Sequence, residues 1–184
     1  STAELRYVVS AGTMVHAMAK LPNGHLAAAS SDGSLKVFDM KHGRQVGPSG
    51  HLKTALRNSE RRNIRDMVCT PSSHIIVLLG QQGRESHSAV LEVWRAEGGE
   101  LRFQASQPVQ GKSLRLLPEG DLLVCGASPS WVLPLGDGRS RAFGTTIGHA
   151  APTSHPKCFW ATALWPHRVS LYDLRQQDQA GGPF

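Results

Sequence analysis

The chain has 184 residues, 40% hydrophobic and 18% charged, with 19 Gly, 11 Pro and 6% aromatics; a domain of this size buries roughly 70% of its unfolded surface, so it needs no metal or disulfide framework. Its 3 Cys are too few and too odd in number for such a framework, no apolar run approaches a membrane span, and Ser1 to Ser10 lacks the parts of a secretory signal, so the expected location is intracellular, cytoplasmic or nuclear. The net charge of +6 permits an acidic partner without naming one.

In chain order, Glu4-Leu5-Arg6-Tyr7-Val8 is a strand-like run similar to Glu100-Leu101-Arg102-Phe103-Gln104. A strand over 15–21 then leads into Leu21-Pro22-Asn23-Gly24-His25-Leu26, which returns almost unchanged as Leu117-Pro118-Glu119-Gly120-Asp121-Leu122. Pro presets φ for the first corner of a tight turn and Gly frees its exit, so both segments predict a hairpin turn followed by a strand. Weaker copies stand at Pro71-Ser72-Ser73-His74-Ile75 and Pro156-Lys157-Cys158-Phe159-Trp160, so the four turn prolines are spaced by 49, 47 and 38. A second strand-like run follows each turn: 34–39, 90–95, 130–134 and 168–173. First strands are expected at 15–21, 64–70 and 113–117, and outer strands at 43–47, 100–105 and 139–144.

A period near 40 built from turn, strand, turn and strand predicts β-propeller blades, each a four-stranded antiparallel sheet, rather than a helical repeat; another antiparallel all-β sandwich is the rival. The expected division is an outer strand of a preceding or closing blade at 1–14, blades at 15–48, 49–105 and 106–145, an incomplete blade at 146–175 and a flexible tail at 176–184. The chain then begins on a fourth strand and stops after a third.

The segment Ala28-Ala29-Ser30-Ser31-Asp32-Gly33-Ser34-Leu35-Lys36-Val37-Phe38-Asp39 resembles the WD-repeat (WD40) family, with Phe38-Asp39 at its Trp-Asp position. Gly50-His51 and Gly148-His149 look like the family's blade-opening Gly-His pair, and Trp94, Tyr172 and Asp173 fall at further repeat positions. The resemblance implies an all-β propeller that serves as a noncatalytic interaction scaffold in a multi-protein complex, without cofactor or metal. It also implies a buried hydrogen-bonded set of His, strand Ser or Thr, turn Asp and Trp within a blade, which this sequence never assembles: Ser30 and Asp32 lack the His. Family propellers usually close with seven blades, so the chain reads as about half of one, with the missing blades supplied by its parent chain or by another subunit.

Spacing singles out two insertions in the second blade, one at 49–63 and a polar one at 81–87, which propeller geometry places on one face. In the first, Lys53, Arg57, Arg61 and Arg65 recur every four residues, the spacing of one helix side, and with Arg62 and the opposing Glu60 the stretch 53–65 carries +4 of the +6. Arg forks on such a surface suit an acidic or phosphorylated peptide, and Arg84 in the second insertion and Trp165 before Pro166 join the candidate contacts. The alternative is a solvated loop whose charges keep the chain soluble. RNA is the rival partner, although no aromatics interleave with the cations for base stacking. A zinc site from His149, His155, Cys158 and His167 is the metal alternative, but blade geometry already accounts for their spacing. No nucleophile elbow, carboxylate pair or phosphate-cradling Gly motif supports an enzyme. Cys69 and Cys125 are expected as core thiols.

Overall fold

The computed structural model describes residues 8–54, 62–81, 88–117, 120–126, 130–133, 141–143, 147–152, 158–163 and 168–173. All its elements are strands, in four antiparallel sheets. The first holds β1 (Val15–Lys20), β2 (Leu26–Ser30), β3 (Ser34–Asp39) and β4 (Arg44–Gln45) in that order, with β5 (Gly50–His51) also paired to β3. The second is β6 (Arg62–Cys69), β7 (His74–Gln81), β8 (Ser88–Glu97) and β9 (Glu100–Gln110). The third is β10 (Ser113–Leu116), β11 (Leu122–Cys125), β12 (Ser130–Leu133) and β13 (Arg141–Phe143), and the fourth β14 (Ile147–Pro152), β15 (Cys158–Ala163) and β16 (Arg168–Asp173).

The repeated turn makes the same backbone bonds in three sheets. Gly24 N–H donates to the Leu21 carbonyl and Leu21 N–H to His25; Gly120 and Leu117 repeat this with Leu117 and Asp121, and Ser73 and Thr70 with Thr70 and His74. The opening residue is buried each time, as Leu21, Thr70 or Leu117. Gly24 and Gly120 hold φ at +85° and +94°, but Ser73 holds +63° with a side chain, in the region where an L-residue is strained. Ser73→Gly is therefore expected to stabilise the fold by about 0.5 kcal/mol, the relieved strain being offset in part by glycine's greater unfolded entropy. A lower denaturation midpoint for this variant would contradict that account. The expected turn at Pro156 lies outside the described residues.

The chain divides into two compact units, the first holding β1–β7 with most of β8 and β9, the second the rest. In the first, Ala27 and Ala29 of β2, Leu35 and Val37 of β3, Ile64 and Met67 of β6, and Ile75, Val77 and Leu79 of β7 form one core with Leu52 and Trp94. Strand β7 is buried from Ile75 to Gly80, as befits a strand covered on both faces. The second unit packs Leu117, Leu123, Cys125, Val132 and Ile147 together. There the Ser130 hydroxyl accepts the Ile147 N–H at 2.8 Å, and Gly126 N–H donates to the Ile147 carbonyl at 2.8 Å, fixing the start of β14.

Three strands outgrow their expected limits. β6 starts at Arg62 rather than 64, β8 spans Ser88–Glu97 rather than 90–95, and β9 runs on to Gln110 rather than ending near 105. Of the expected strand in 1–14, residues 1–7 lie outside the described residues and 8–14 form no strand. The tail at 176–184 also lies outside them.

Candidate functional site

The outer edge of the first sheet continues past β4. Val46 N–H donates to the Val37 carbonyl, β5 pairs with Ser34 and Leu35, and Leu52 N–H donates to the Gly33 carbonyl at 2.9 Å. Gly50-His51 therefore completes the edge of the sheet before it, and His51 is exposed and enters no buried hydrogen-bonded set. Gly50 packs where a side chain would crowd: a Cβ there would meet Trp94 at 3.2 Å and Leu101 at 3.4 Å. Leu52 is buried in the core, so the chain reaches Lys53 along a fixed path.

At that point a buried carboxylate takes hold of the chain. Glu92, on β8, is wholly buried. Its Oε1 accepts from the Thr54 N–H and the Thr54 hydroxyl, each at 2.6 Å; its Oε2 accepts from the Lys53 N–H at 3.1 Å and the Trp94 indole N–H at 3.0 Å. Burying a carboxylate is costly unless its oxygens are satisfied, and here four donors share them. The Trp94 ring stands edge-on to Phe103, with centroids 5.5 Å apart and planes at 74°, so the group holding Glu92 is itself held. Neither Glu92 nor Thr54 was singled out from sequence. The available signal was a lone Glu in the apolar run Val90-Leu91-Glu92-Val93-Trp94, placed by strand alternation on the same face as Trp94.

The far end of the basic stretch is fixed by the sheet. Arg62 pairs with Gln81, joining the first residue of β6 to the last of β7, so the segment running into β6 and the connection leaving β7 emerge at one end of this sheet. Lys53 is exposed. Arg65 is not on a helix with it. It is the extra residue of a β-bulge, between Ile64 paired with Leu79 and Asp66 paired with Leu78. Its side chain lies across Gly80, where any Cβ would collide with the guanidinium, and burial lowers its pKa from the ordinary arginine value. A helix face does not extend as far as Arg65, because Ile64 and Met67 are drawn into the core by strand pairing. Arg57, Arg61, Arg84 and Trp165 lie outside the described residues, as does 82–87 of the second insertion; Arg62 is placed by its backbone alone.

No protein-family model and no curated protein sequence matches the chain. Solved structures do. The Cps50 (Swd1) β-propeller domain of Myceliophteria thermophila superposes with a TM-score of 0.63 at 13% identity, over 87% of this chain and 53% of that one. The fold is a β-propeller. The PQQ-bound aldose sugar dehydrogenase of Streptomyces coelicolor superposes with a TM-score of 0.57 at 12% identity, over 92% of this chain and 63% of that one. A computationally designed protein, Ika4, gives 0.58 at 12% identity, over 94% and 99%. The chain thus spans about half the length of the Swd1 propeller domain. Identities this low establish the fold alone.

The remaining positions singled out from the sequence lie in strands or in the turns between them. Ser30 is wholly buried, and its hydroxyl has no hydrogen-bond partner among the described residues. Asp32 accepts the Ser34 N–H at 2.9 Å within the β2–β3 turn. Phe38 is buried. Asp39 caps the β3–β4 turn: its carboxylate meets His42 Nδ1 at 2.6 Å and accepts the Lys41 and His42 amides, and the His42 bond foremost holds its pKa at about 2. His149 on β14 lies opposite Thr162; on β16, Tyr172 and Asp173 lie opposite Phe159 and Cys158. Of the zinc alternative, His155 and His167 lie outside the described residues, and among those described no group of three or more His, Cys, Asp or Glu could hold a metal. Cys125 is a buried core residue, and Cys69 is half-buried with burial pushing its thiol pKa up, so neither has the exposed thiolate of a reactive cysteine.

Proposed function

We propose that this chain is a noncatalytic, WD-repeat-like propeller segment that mediates protein–protein interaction in a multi-protein complex, and that the basic stretch beginning at Lys53 docks an acidic or phosphorylated peptide. The observation that carries the reading is the fixation of both ends of that stretch, by Glu92 at Lys53 and Thr54 and by the Arg62–Gln81 pair. Cations on a segment with anchored ends lose less freedom on binding than cations on a free loop. Glu92 itself, saturated by four donors, is a structural carboxylate rather than a proton-transfer group. The intracellular location expected from composition belongs to the same proposal, as does the supply of further blades by a longer parent chain or another subunit.

The site needs one revision from its sequence form. Arg65 lies across Gly80, so its replacement would test packing as well as docking. The cleaner variant is Lys53→Glu with Arg57→Glu and Arg61→Glu. It is expected to weaken binding of a fluorescein-labelled oligoglutamate peptide by roughly tenfold or more at low salt, with the thermal transition kept. Unchanged peptide affinity would sink the site assignment. Loss instead of binding to unrelated single-stranded RNAs, with a steep salt dependence, would replace the peptide by RNA.

A further inference from the structure

We infer that Glu92 is the positioning residue of this docking surface: it fixes where the basic stretch leaves the blade, and hence where the Lys53 ammonium stands, without itself touching the partner. The inference rests on the docking reading above and adds to it a residue 39 positions away in sequence.

Three observations support it. The first is the chemistry of the contact. A buried carboxylate next to a lysine would ordinarily be neutralised by the ammonium; here the four donors are two backbone amides, a hydroxyl and an indole, all uncharged. Glu92 thus takes the Lys53 N–H and leaves the Lys53 side chain exposed to an external anion. Second, the bonds are directional and distributed over both oxygens, so they define the orientation of the Lys53–Thr54 peptide as well as its location. Third, the carboxylate has no freedom to follow a moving loop. Trp94 holds Oε2, Phe103 meets the Trp94 ring edge-on, and Gly50 packs against the same ring, which joins the anchor to the core beneath. Thr54 is the matching element on the segment, because it alone supplies two of the four donors.

The test uses the whole chain in four forms: wild type, Glu92→Gln, Thr54→Val and Thr54→Ser. Thr54→Val keeps the carboxylate and both amide bonds while deleting the hydroxyl, and so serves if Glu92→Gln does not fold. Two quantities are read: oligoglutamate affinity by anisotropy, and amide hydrogen exchange at Lys53 and Thr54, with Ala27 and Ala29 of β2 as internal reference. In Glu92→Gln and Thr54→Val, exchange at Lys53 and Thr54 is expected to quicken about tenfold more than at the β2 amides, which follow only the global loss of stability, and affinity to fall about tenfold; Thr54→Ser should restore both relative to Thr54→Val. A purely structural role would quicken the β2 amides by the same factor. If the Lys53 and Thr54 amides open while affinity is unchanged, positioning is wrong and docking stands. Continued protection of those amides in both variants also overturns it. If wild type itself does not bind the peptide, the docking reading falls and takes the positioning role with it.

Discussion

Glu92→Ala is expected to cost about 3–5 kcal/mol of folding stability, because it leaves four donors without an acceptor in a wholly buried place. The sum is not simply four hydrogen bonds. Removing the carboxylate also removes the cost of burying a charge, and Thr54, being half-buried, recovers part of its bonding from water. The Trp94 indole N–H lies in the core and has no such recourse. Glu92→Gln should fall between wild type and alanine at about 2–3 kcal/mol, since its one carbonyl serves one pair of donors while its amide nitrogen faces the other. Glu92→Leu fills the space and satisfies none of the donors, so it should fall near alanine. Urea denaturation of the three variants checks the order. A loss below about 1 kcal/mol for alanine would mean that water replaces the carboxylate, and the anchor would lose its energetic basis.

Gly47→Ala should cost about 3 kcal/mol or more, whereas Gly24→Ala should cost about 1. Both glycines hold positive φ, +67° and +85°, and pay a comparable backbone strain on gaining a Cβ. They differ in what the Cβ meets. At Gly24 nothing lies within 4 Å, but at Gly47 the new atom runs into the carbonyl of Gly99. That carbonyl belongs to the β8–β9 turn, where Gly98 and Gly99 also hold positive φ, so the obstacle is the backbone of a tight turn rather than the end of a flexible side chain. Equal losses for the two variants in thermal denaturation would show that the two sheets separate to admit a methyl group. The Gly47–Gly99 contact joins the edge of the first sheet to the second, beside the path that leads to Lys53.

The fold was legible where its determinants are local. A Pro at one corner and a Gly at the next specify the turn wherever they occur, and so the copies at Leu21 and Leu117 could be matched by eye and the third recognised through Pro71, even with Ser73 in place of Gly. Strand spacing then pointed to propeller blades. Charge spacing misled at Arg65. Cations every four residues suit a helix face, but Arg65 follows Ile64, whose side chain is committed to the core, and the strand and its bulge decide where the guanidinium goes. Gly50-His51 misled in a similar way: the pair looks like the opening of a blade, whereas its ladder partners are Ser34 and Leu35.

By itself the sequence determined the all-β class, the turn chemistry and the concentration of positive charge in the stretch 53–65, since each depends on residues within a few positions of one another. Only the tertiary structure decided what anchors the start of that stretch. The donors on Lys53 and Thr54 lie 39 and 38 residues from the acceptor on Glu92 and meet it because the strand bearing Glu92 and Trp94 packs beneath the chain leaving β5. A lone acidic residue in an apolar strand marks a polar demand in the core; which amides satisfy it is fixed by chain path.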